Sequence, residues 1–345
     1  MCIRDSPLAD EVLASGVCDA SIPGTSGYDI KAWIVYGTNL LQCLPNPKNT
    51  EKAIQATDFI VAIDIYPSEI CGWADVVLPE CTYLERYDDL RNKPERTPTL
   101  ALRMPAFAPR YQTRPSWWMA KGIAERLGLG EYFPWQDYKE VLDWQLRQVG
   151  SSLAEMEQIG VKQFARKTAP YFDNGAALRF KTPSGKIELY SSLLADVGQD
   201  PLPGYRPPDR PPEGYYHLNY GRAPAHTFGR TINNPQLFEL MPENVVWVHP
   251  AAAAVLGVAS GEYVQLENPE GVRSKRVRVR VTQRIRPDSV FLVHGFGHTD
   301  QRQRLARGVG ADDAALMHNV KLDPVMGGTG MRASFVTLVK TGEVS

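Results

Sequence analysis

Between Ala32 and about Leu78, short β-branched runs alternate with a helical segment, the order that gives a parallel α/β sheet. Ala32–Tyr36 and Phe59–Ile63 read as buried strands. Asp75–Pro79 reads as a third strand, stopped by its proline. Between the first two, Thr50 with Glu51 after it caps a helix running to Thr57. A further helix is bracketed by Pro115 and Gly128, with Trp117, Ala120, Ala124 and Leu127 on one face. Asp137 starts another that buries Leu142, Leu146 and Val149. From Gln199 to Gly214, prolines at 201, 203, 207, 208, 211 and 212 exclude helix and interior strand, so the stretch reads as a linker. Beyond it lie short strands separated by glycine turns: Tyr216–Asn219, Val245–Val248, Tyr263–Glu267, Lys275–Val281, Val290–Val293 and Ser334–Val339. They predict a β-barrel, interrupted by one helix with Pro250 near its start and Gly257 at its end.

The chain has 345 residues, which at about 150 per domain favours two domains over one. Lys and Arg number 38 against 39 for Asp and Glu, so no global field draws it to nucleic acid or anionic lipid. Lys275–Val281, where charge alternates with valine, accordingly reads as a strand with one solvated face. Apolar runs such as Phe59–Ile63 fall far short of the roughly 18 residues a membrane-spanning helix needs. The cysteines, Cys2, Cys18, Cys43, Cys71 and Cys81, contain no C-x2-C pair, so cysteine alone builds no zinc or iron–sulfur site. Residues 1–6 have neither an apolar h-region nor a cleavage site and read as a non-native scar.

Four places carry candidate chemistry. Tyr36-Gly37-Thr38-Asn39 leaves a strand directly, where backbone N–H groups can face a phosphate or nucleotide; a tight turn using Gly and Asn explains it equally. Asp64 stands at the end of the next strand, either accepting from a guanine edge or ribose or capping the turn through Pro67. In residues 221–234, Arg222 and Arg230 can hold phosphate while His226, Asn233 and Asn234 read a heterocycle. The alternative there is a self-satisfied polar surface loop. His294-Gly295-Phe296-Gly297-His298 follows a strand, and its glycines allow close backbone approach to a ligand. Its i, i+4 histidines suit a metal only on a helix, which the glycines oppose.

Val35 to Leu40, Ala62 to Glu69, and Ala74 to Pro79 with Leu84-Glu85-Arg86 together resemble the third domain of molybdopterin oxidoreductases related to dimethyl sulfoxide reductase. Thr182 to Leu189, the Arg222–Asn234 loop and the closing Asp323-Pro324 with Gly327-Gly328 are similar to that family's C-terminal domain. Nearly the whole chain after residue 7 is covered. The resemblance implies a parallel-sheet α/β domain followed by a double-psi-like β-barrel that binds molybdopterin dinucleotide. In these terms 7–170 is the α/β domain, N-terminally truncated, 171–213 a connector with the Pro-rich linker, and 214–345 the barrel. The implied cofactor is molybdenum bis(molybdopterin guanine dinucleotide). Gly37, Thr38, Asn39, Asp64 and Ser68 fall to one guanine dinucleotide, and Arg222, His226, Thr227, Arg230 and Asn234 to the pterin side. Asp75, Thr231, His294, Gly295 and His298 join the cofactor-binding set.

The loops at 221–234 and 294–298 look most like catalytic subunits of polysulfide, thiosulfate and tetrathionate reductases. The resemblance therefore implies a parent that reduces sulfur compounds in anaerobic respiration, in the periplasm or on the outer face of the cytoplasmic membrane. Its implied partners are an iron–sulfur electron-transfer subunit and a membrane anchor subunit. A relative acting on arsenate, nitrate or formate is the rival, and a non-catalytic nucleotide-binding or assembly module is a third reading. The family's 4Fe-4S cysteines and metal ligand have no counterpart here, so the chain reads as a C-terminal fragment, inactive alone, with no catalytic or metal-ligating residue of its own. Near Ala311–Asn319, where relatives place an asparagine, this chain offers Asp312, Asp313 and Ala315, a site left unassigned.

Overall fold

The computed structural model describes residues 14–93, 95, 97–165, 180–202, 204–205, 207–317, 320–323, 325, 329–330 and 333–341. The expected scar at 1–6, and Pro324, Gly327 and Gly328 of the closing motif, lie outside them. The chain forms two compact units, one built from the residues up to Val77 together with those from Ser192 onward, the other from Leu78–Ser191.

In the first unit α1 (Ala14–Ser21) precedes β1 (Ala32–Tyr36), α2 (Leu40–Cys43), α3 (Pro47–Ala56), β2 (Phe59–Asp64), α4 (Glu69–Trp73) and β3 (Val76–Pro79). The strands form a sheet in the order β1-β2-β3, and β1 and β2 run parallel with Ala32 opposite Phe59 and Tyr36 opposite Ile63. Both carboxyl ends, Tyr36 and Asp64, therefore finish on the same edge. β1 is not buried on both faces as expected: Trp33 and Val35 enter the core with Ile54 and Ile60, while Ile34 and Tyr36 are exposed. Helix α3 also starts earlier than Thr50. Asn46, in the left-handed region at φ 55°, caps it by accepting from Asn49 N–H, and Pro47 occupies the first turn. Thr50 is buried inside the helix.

The second unit holds an antiparallel sheet of β4 (Arg91–Lys93), β5 (Thr99–Ala101) and β6 (Val161–Gln163), with α5 (Ser116–Arg126), α6 (Tyr138–Arg147) and α7 (Leu153–Ile159). Asp137 caps α6 as its sequence predicts, accepting from Lys139 and Glu140 N–H. Leu142 and Leu146 are fully buried with Leu153 and Met156, but Val149 lies past the helix end and is exposed. On α5 the buried residues are Met119 and Ala124, whereas Ala120 and Leu127 of the expected face are exposed. That helix buries a narrower stripe than its apolar residues allow.

The first unit resumes with α8 (Ser192–Asp196), and no helix or strand occurs among the described residues from there to β7 (Tyr216–Gly221), as the prolines require. Then follow α9 (Pro235–Leu240), β8 (Val245–Val248), α10 (Pro250–Leu256), β9 (Tyr263–Glu267), β10 (Val277–Val281), β11 (Ser289–Val293), β12 (Lys321–Leu322), β13 (Thr329–Gly330) and β14 (Phe335–Lys340). Six strands close a barrel in the order β10-β8-β11-β7-β14-β9, with β10 parallel to β8 and β11 parallel to β7. Alternation explains the core: Val277 and Val279 point inward with Val246, Val248, Leu266 and Leu292, while Arg278 and Arg280 stay outside. Arg280 lies over Trp247 and Arg278 pairs with Glu243, so this is the solvated face expected. Gly257 ends α10 in the left-handed region at φ 63°.

Asn244, fully buried just before β8, cross-links the loops above the barrel. Its amide donates to Val293 and Ala311 carbonyls and accepts from Ala311 N–H, each at 2.8–2.9 Å. Asn244→Ala strands that buried N–H and two carbonyls, so we expect a loss of about 1–3 kcal/mol in urea denaturation. An unchanged midpoint would show that the loops do not depend on it.

Candidate functional site

At the carboxyl edge of the sheet, Gly37 turns the chain at φ 58°, its N–H donating to Ile63 O at 2.9 Å. A Cβ here would meet only Arg230 Nη2, at 3.7 Å. Thr38 Oγ1 lies 3.4 Å from Cys43 Sγ. Asp64, buried, accepts from Ile65 N–H at 2.7 Å and from Ser68 Oγ at 3.2 Å. Burial pushes its carboxyl up, and the nearby Arg230 guanidinium, among other groups, opposes this. Asp64 thus engages its own turn through Ile65, Tyr66 and Ser68, as the turn-capping reading has it, and its oxygens keep acceptor capacity beyond these.

The 221–234 loop reaches this edge. Tyr66 Oη donates to Gly229 O at 3.3 Å, and Arg230 stands beside Gly37 and Asp64. Much of the loop is satisfied internally. His226, buried, contacts Met241 O at 2.8 Å through Nε2 and Thr231 Oγ1 at 3.3 Å through Nδ1, so both ring nitrogens are occupied. Thr227 N–H donates to Thr231 Oγ1. Asn233 accepts from Leu305 and Ala306 N–H, and Asn234 caps α9 through Gln236 and Leu237 N–H. Arg222 lies 3.9 Å over the Phe228 ring. Arg222 and Arg230 are exposed, and neither is ion-paired among the described residues. The two guanidiniums are what this loop offers an anion.

The glycines of 294–298 lie against the protein's own backbone. A Cβ on Gly295, at φ 98°, would fall 2.2 Å from Phe228 O, and one on Gly297, at φ 89°, 2.8 Å from Asp312 N and Cβ. His294 Nδ1 lies 2.9 Å from both oxygens of fully buried Asp313. Burial pulls His294 down, but the hydrogen bond and charge of Asp313, with Asp312 behind it, lift its pKa above the ordinary value. Asp312 itself is pushed up to about 8, first by burial and then by Asp313. Asp75, expected in the site, lies at the opposite edge: its carboxylate accepts from Ile60 N–H at 2.8 Å, near the start of β2. Its own N–H donates to Ile60 O at 2.9 Å, so Asp75 ties the entry of β3 to β2.

A residue outside the expected set organises the rest. Glu69, buried at the start of α4, accepts from five donors: Asn39 Nδ2 at 2.6 Å, His298 Nδ1 at 3.0 Å, Thr299 N–H at 2.8 Å, Asp300 N–H at 3.3 Å and Gln303 Nε2 at 3.3 Å. Burial opposes its ionisation, but the His298 hydrogen bond and charge and the two backbone N–H groups outweigh it and hold the pKa at about 2. The flanking buried polar atoms Asn39 Oδ1, His298 Nε2 and Gln303 Oε1 have no hydrogen-bond partner among the described residues. Glu69 and Gln303 were not legible as site residues, because their partners come from distant segments, nor was Gln42; Asp313 lies in the segment left unassigned.

The family follows from comparison. Residues 19–126 match the molybdopterin oxidoreductase model and residues 216–334 the molydopterin dinucleotide binding domain. The chain belongs to the molybdopterin oxidoreductases, as its motifs implied. It is 36% identical over 319 residues to the thiosulfate reductase molybdopterin-containing subunit PhsA of Salmonella typhimurium, covering 85% of this chain and 40% of that one. Acetylene hydratase of Syntrophotalea acetylenica is 29% identical over 255 residues, covering 71% and 34%, and dimethyl sulfoxide reductase DmsA of Escherichia coli 25% over 283 residues, covering 73% and 34%. The chain thus spans about two fifths of the length of these relatives or less. The solved acetylene hydratase from Pelobacter acetylenicus shares the fold at a TM-score of 0.79 and 23% identity, over 96% of this chain and 47% of that one.

Glu69 sets a pH dependence. Its folded pKa lies below the ordinary 4.5, so its stabilisation is complete above that value and is lost as pH falls through about 2. At 1.36 kcal/mol per pH unit this amounts to about 3 kcal/mol. Stability measured from pH 5 to 2 should fall less steeply in Glu69→Gln than in the parent; parallel slopes would mean that the carboxylate is not held in this way.

Proposed function

We propose that this chain grips the guanine dinucleotide tails of molybdenum bis(molybdopterin guanine dinucleotide) within a longer oxidoreductase. The observation that carries the reading is the convergence of Arg230, free of any ion pair among the described residues, on Gly37 and Asp64 at the carboxyl edge of a parallel sheet, where α/β folds bind nucleotides. The donor set fits the group. Arg230 and Arg222 take phosphate oxygens, the open side of Gly37 admits a diphosphate against its backbone, and the unused lone pairs of Asp64 accept from the guanine N1–H and exocyclic amine. Arg222 over Phe228, beside His294, offers a cationic, aromatic wall to a flat heterocycle. His226, Thr227, Thr231 and Asn234 shape the loop that carries the two arginines. When bound, the metal centre supplies two-electron redox chemistry.

For the whole protein we propose reduction of a sulfur oxyanion or sulfur chain, with thiosulfate first, supported by the 36% identity to the thiosulfate reductase subunit across 85% of this chain. That relative's description as a subunit supports partners, which we take to be an iron–sulfur electron-transfer subunit and a membrane anchor at the outer face of the cytoplasmic membrane. No helix among the described residues is long and apolar enough to cross a membrane. Oxidation of reduced viologen by the full-length protein with thiosulfate, tetrathionate, polysulfide or nitrate tests the substrate; turnover on nitrate alone would overturn it.

In the full-length protein, Arg222→Ala and Arg230→Ala should lower molybdenum and guanine nucleotide content, since each charge-assisted hydrogen bond contributes roughly 1.5–3 kcal/mol. Asp64→Asn should fold normally and hold less nucleotide. Full cofactor content in all three would remove these residues from the site.

A further inference from the structure

Three segments must be held in register for the site to exist: the 37–39 turn, the 222–234 loop and the loop after β11. One buried carboxylate touches two of them and reaches the third through a single ring. Glu69 binds Asn39 directly at 2.6 Å and His298 at 3.0 Å, with Thr299, Asp300 and Gln303 completing its shell. The 222–234 loop is seated on this group at Gly229. A Cβ there would lie 2.3 Å from Gln42 Oε1 and 3.4 Å from His298 Cε1, so the loop backbone rests on the His298 ring and on Gln42. Gln42 is tied back to the cluster by Asn39 Nδ2 at 3.3 Å and by its own contact with Phe296 O at 3.5 Å. The residue after Gly229 is Arg230.

We propose that Glu69 and His298 are a positioning pair for the dinucleotide site: together they fix the height of the Gly229–Arg230 backbone above Gly37 and Asp64, and so the reach of the Arg230 guanidinium. The proposal rests on the cofactor reading above. On this proposal both act through the Gly229–Arg230 backbone. Glu69 is the fixed anion, ionised throughout the working pH range, and its demand for a donor sets His298 with Nδ1–H toward the carboxylate and Cε1 toward Gly229. An apolar or neutral replacement keeps a filled core but frees the ring to rotate and the loop to rise.

The test uses the full-length protein, expressed with its cofactor and assayed for molybdenum by metal analysis and for guanine nucleotide released by acid hydrolysis. Melting temperature is measured on the same preparations. Glu69→Gln and His298→Leu should retain roughly ten- to a hundredfold less of both, the range set by loss of charge-assisted hydrogen bonds. His298→Asn, whose amide can donate from near the Nδ1 position, should recover most of the loss. Val264→Ala, in the barrel core away from the site, supplies the control for instability, because it lowers the melting temperature without touching these loops. If Glu69→Gln does not accumulate as folded protein, His298→Leu against His298→Asn carries the same comparison. Equal loss of cofactor in Val264→Ala at a matched melting temperature would overturn the proposal, as would failure of His298→Asn to exceed His298→Leu. A parent protein without molybdopterin nucleotide would instead overturn the cofactor reading itself.

Discussion

A carboxylate buried in a protein interior is costly unless its lone pairs are met by donors, and Glu69 meets that condition only through side chains and backbone from Asn39 and from His298 to Gln303. The α/β portion supplies the charge and one donor, and the loop leaving the barrel strand β11 supplies the others. Separating them would strand an ion in an apolar setting. The carboxyl edge of the sheet and the rim of the barrel are therefore locked as one surface, and the Arg230 loop is laid across the join.

Around that lock the chain packs backbone against backbone. Gly295 lies against the Phe228–Gly229 peptide, Gly297 against Asp312, and Gly310 against Asn244, each too close to admit a Cβ. At Gly295 and Gly297 the close neighbour is the backbone of another loop, and at Gly310 it is the Asn244 side-chain oxygen. Phe228 accepts a left-handed conformation at φ 51° in the same place, and its ring then carries Arg222 on its face. The polar residues of the loop, His226, Thr231, Asn233 and Asn234, are consumed in holding this shape.

The relatives include a thiosulfate reductase subunit, a dimethyl sulfoxide reductase and a hydratase on one family of folds. One fold thus serves proteins named for different reactions. In the function proposed above, Arg222, Arg230 and Asp64 act in holding a dinucleotide and not in choosing the reaction.

Signals that act within a few residues were legible in the sequence. Asp137 caps α6, Pro250 and Gly257 bracket α10, the prolines before β7 exclude regular structure, and alternating valines mark the barrel strands. The strand-end position of Gly37 and Asp64 was legible for the same reason, since it follows from strand boundaries. Where local signals competed, the nearer reading failed: Asn46 rather than Thr50 begins α3, because an αL asparagine followed by proline caps a full turn earlier. Asp75 failed differently, being adjacent to a strand yet at the wrong edge, a distinction made only once β2 and β3 were placed side by side. Sequence alone determined the parallel strands β1 and β2, the helices α6 and α10, the barrel strands, and the family motifs that imply a molybdopterin dinucleotide. Only the tertiary structure decided that Glu69 gathers donors from distant segments, that the glycines of 294–298 face the chain itself, and that Arg230 stands near Asp64. Whether a buried charge or a missing Cβ is tolerable depends on donors and backbone brought from over two hundred residues away, and no local pattern encodes those neighbours.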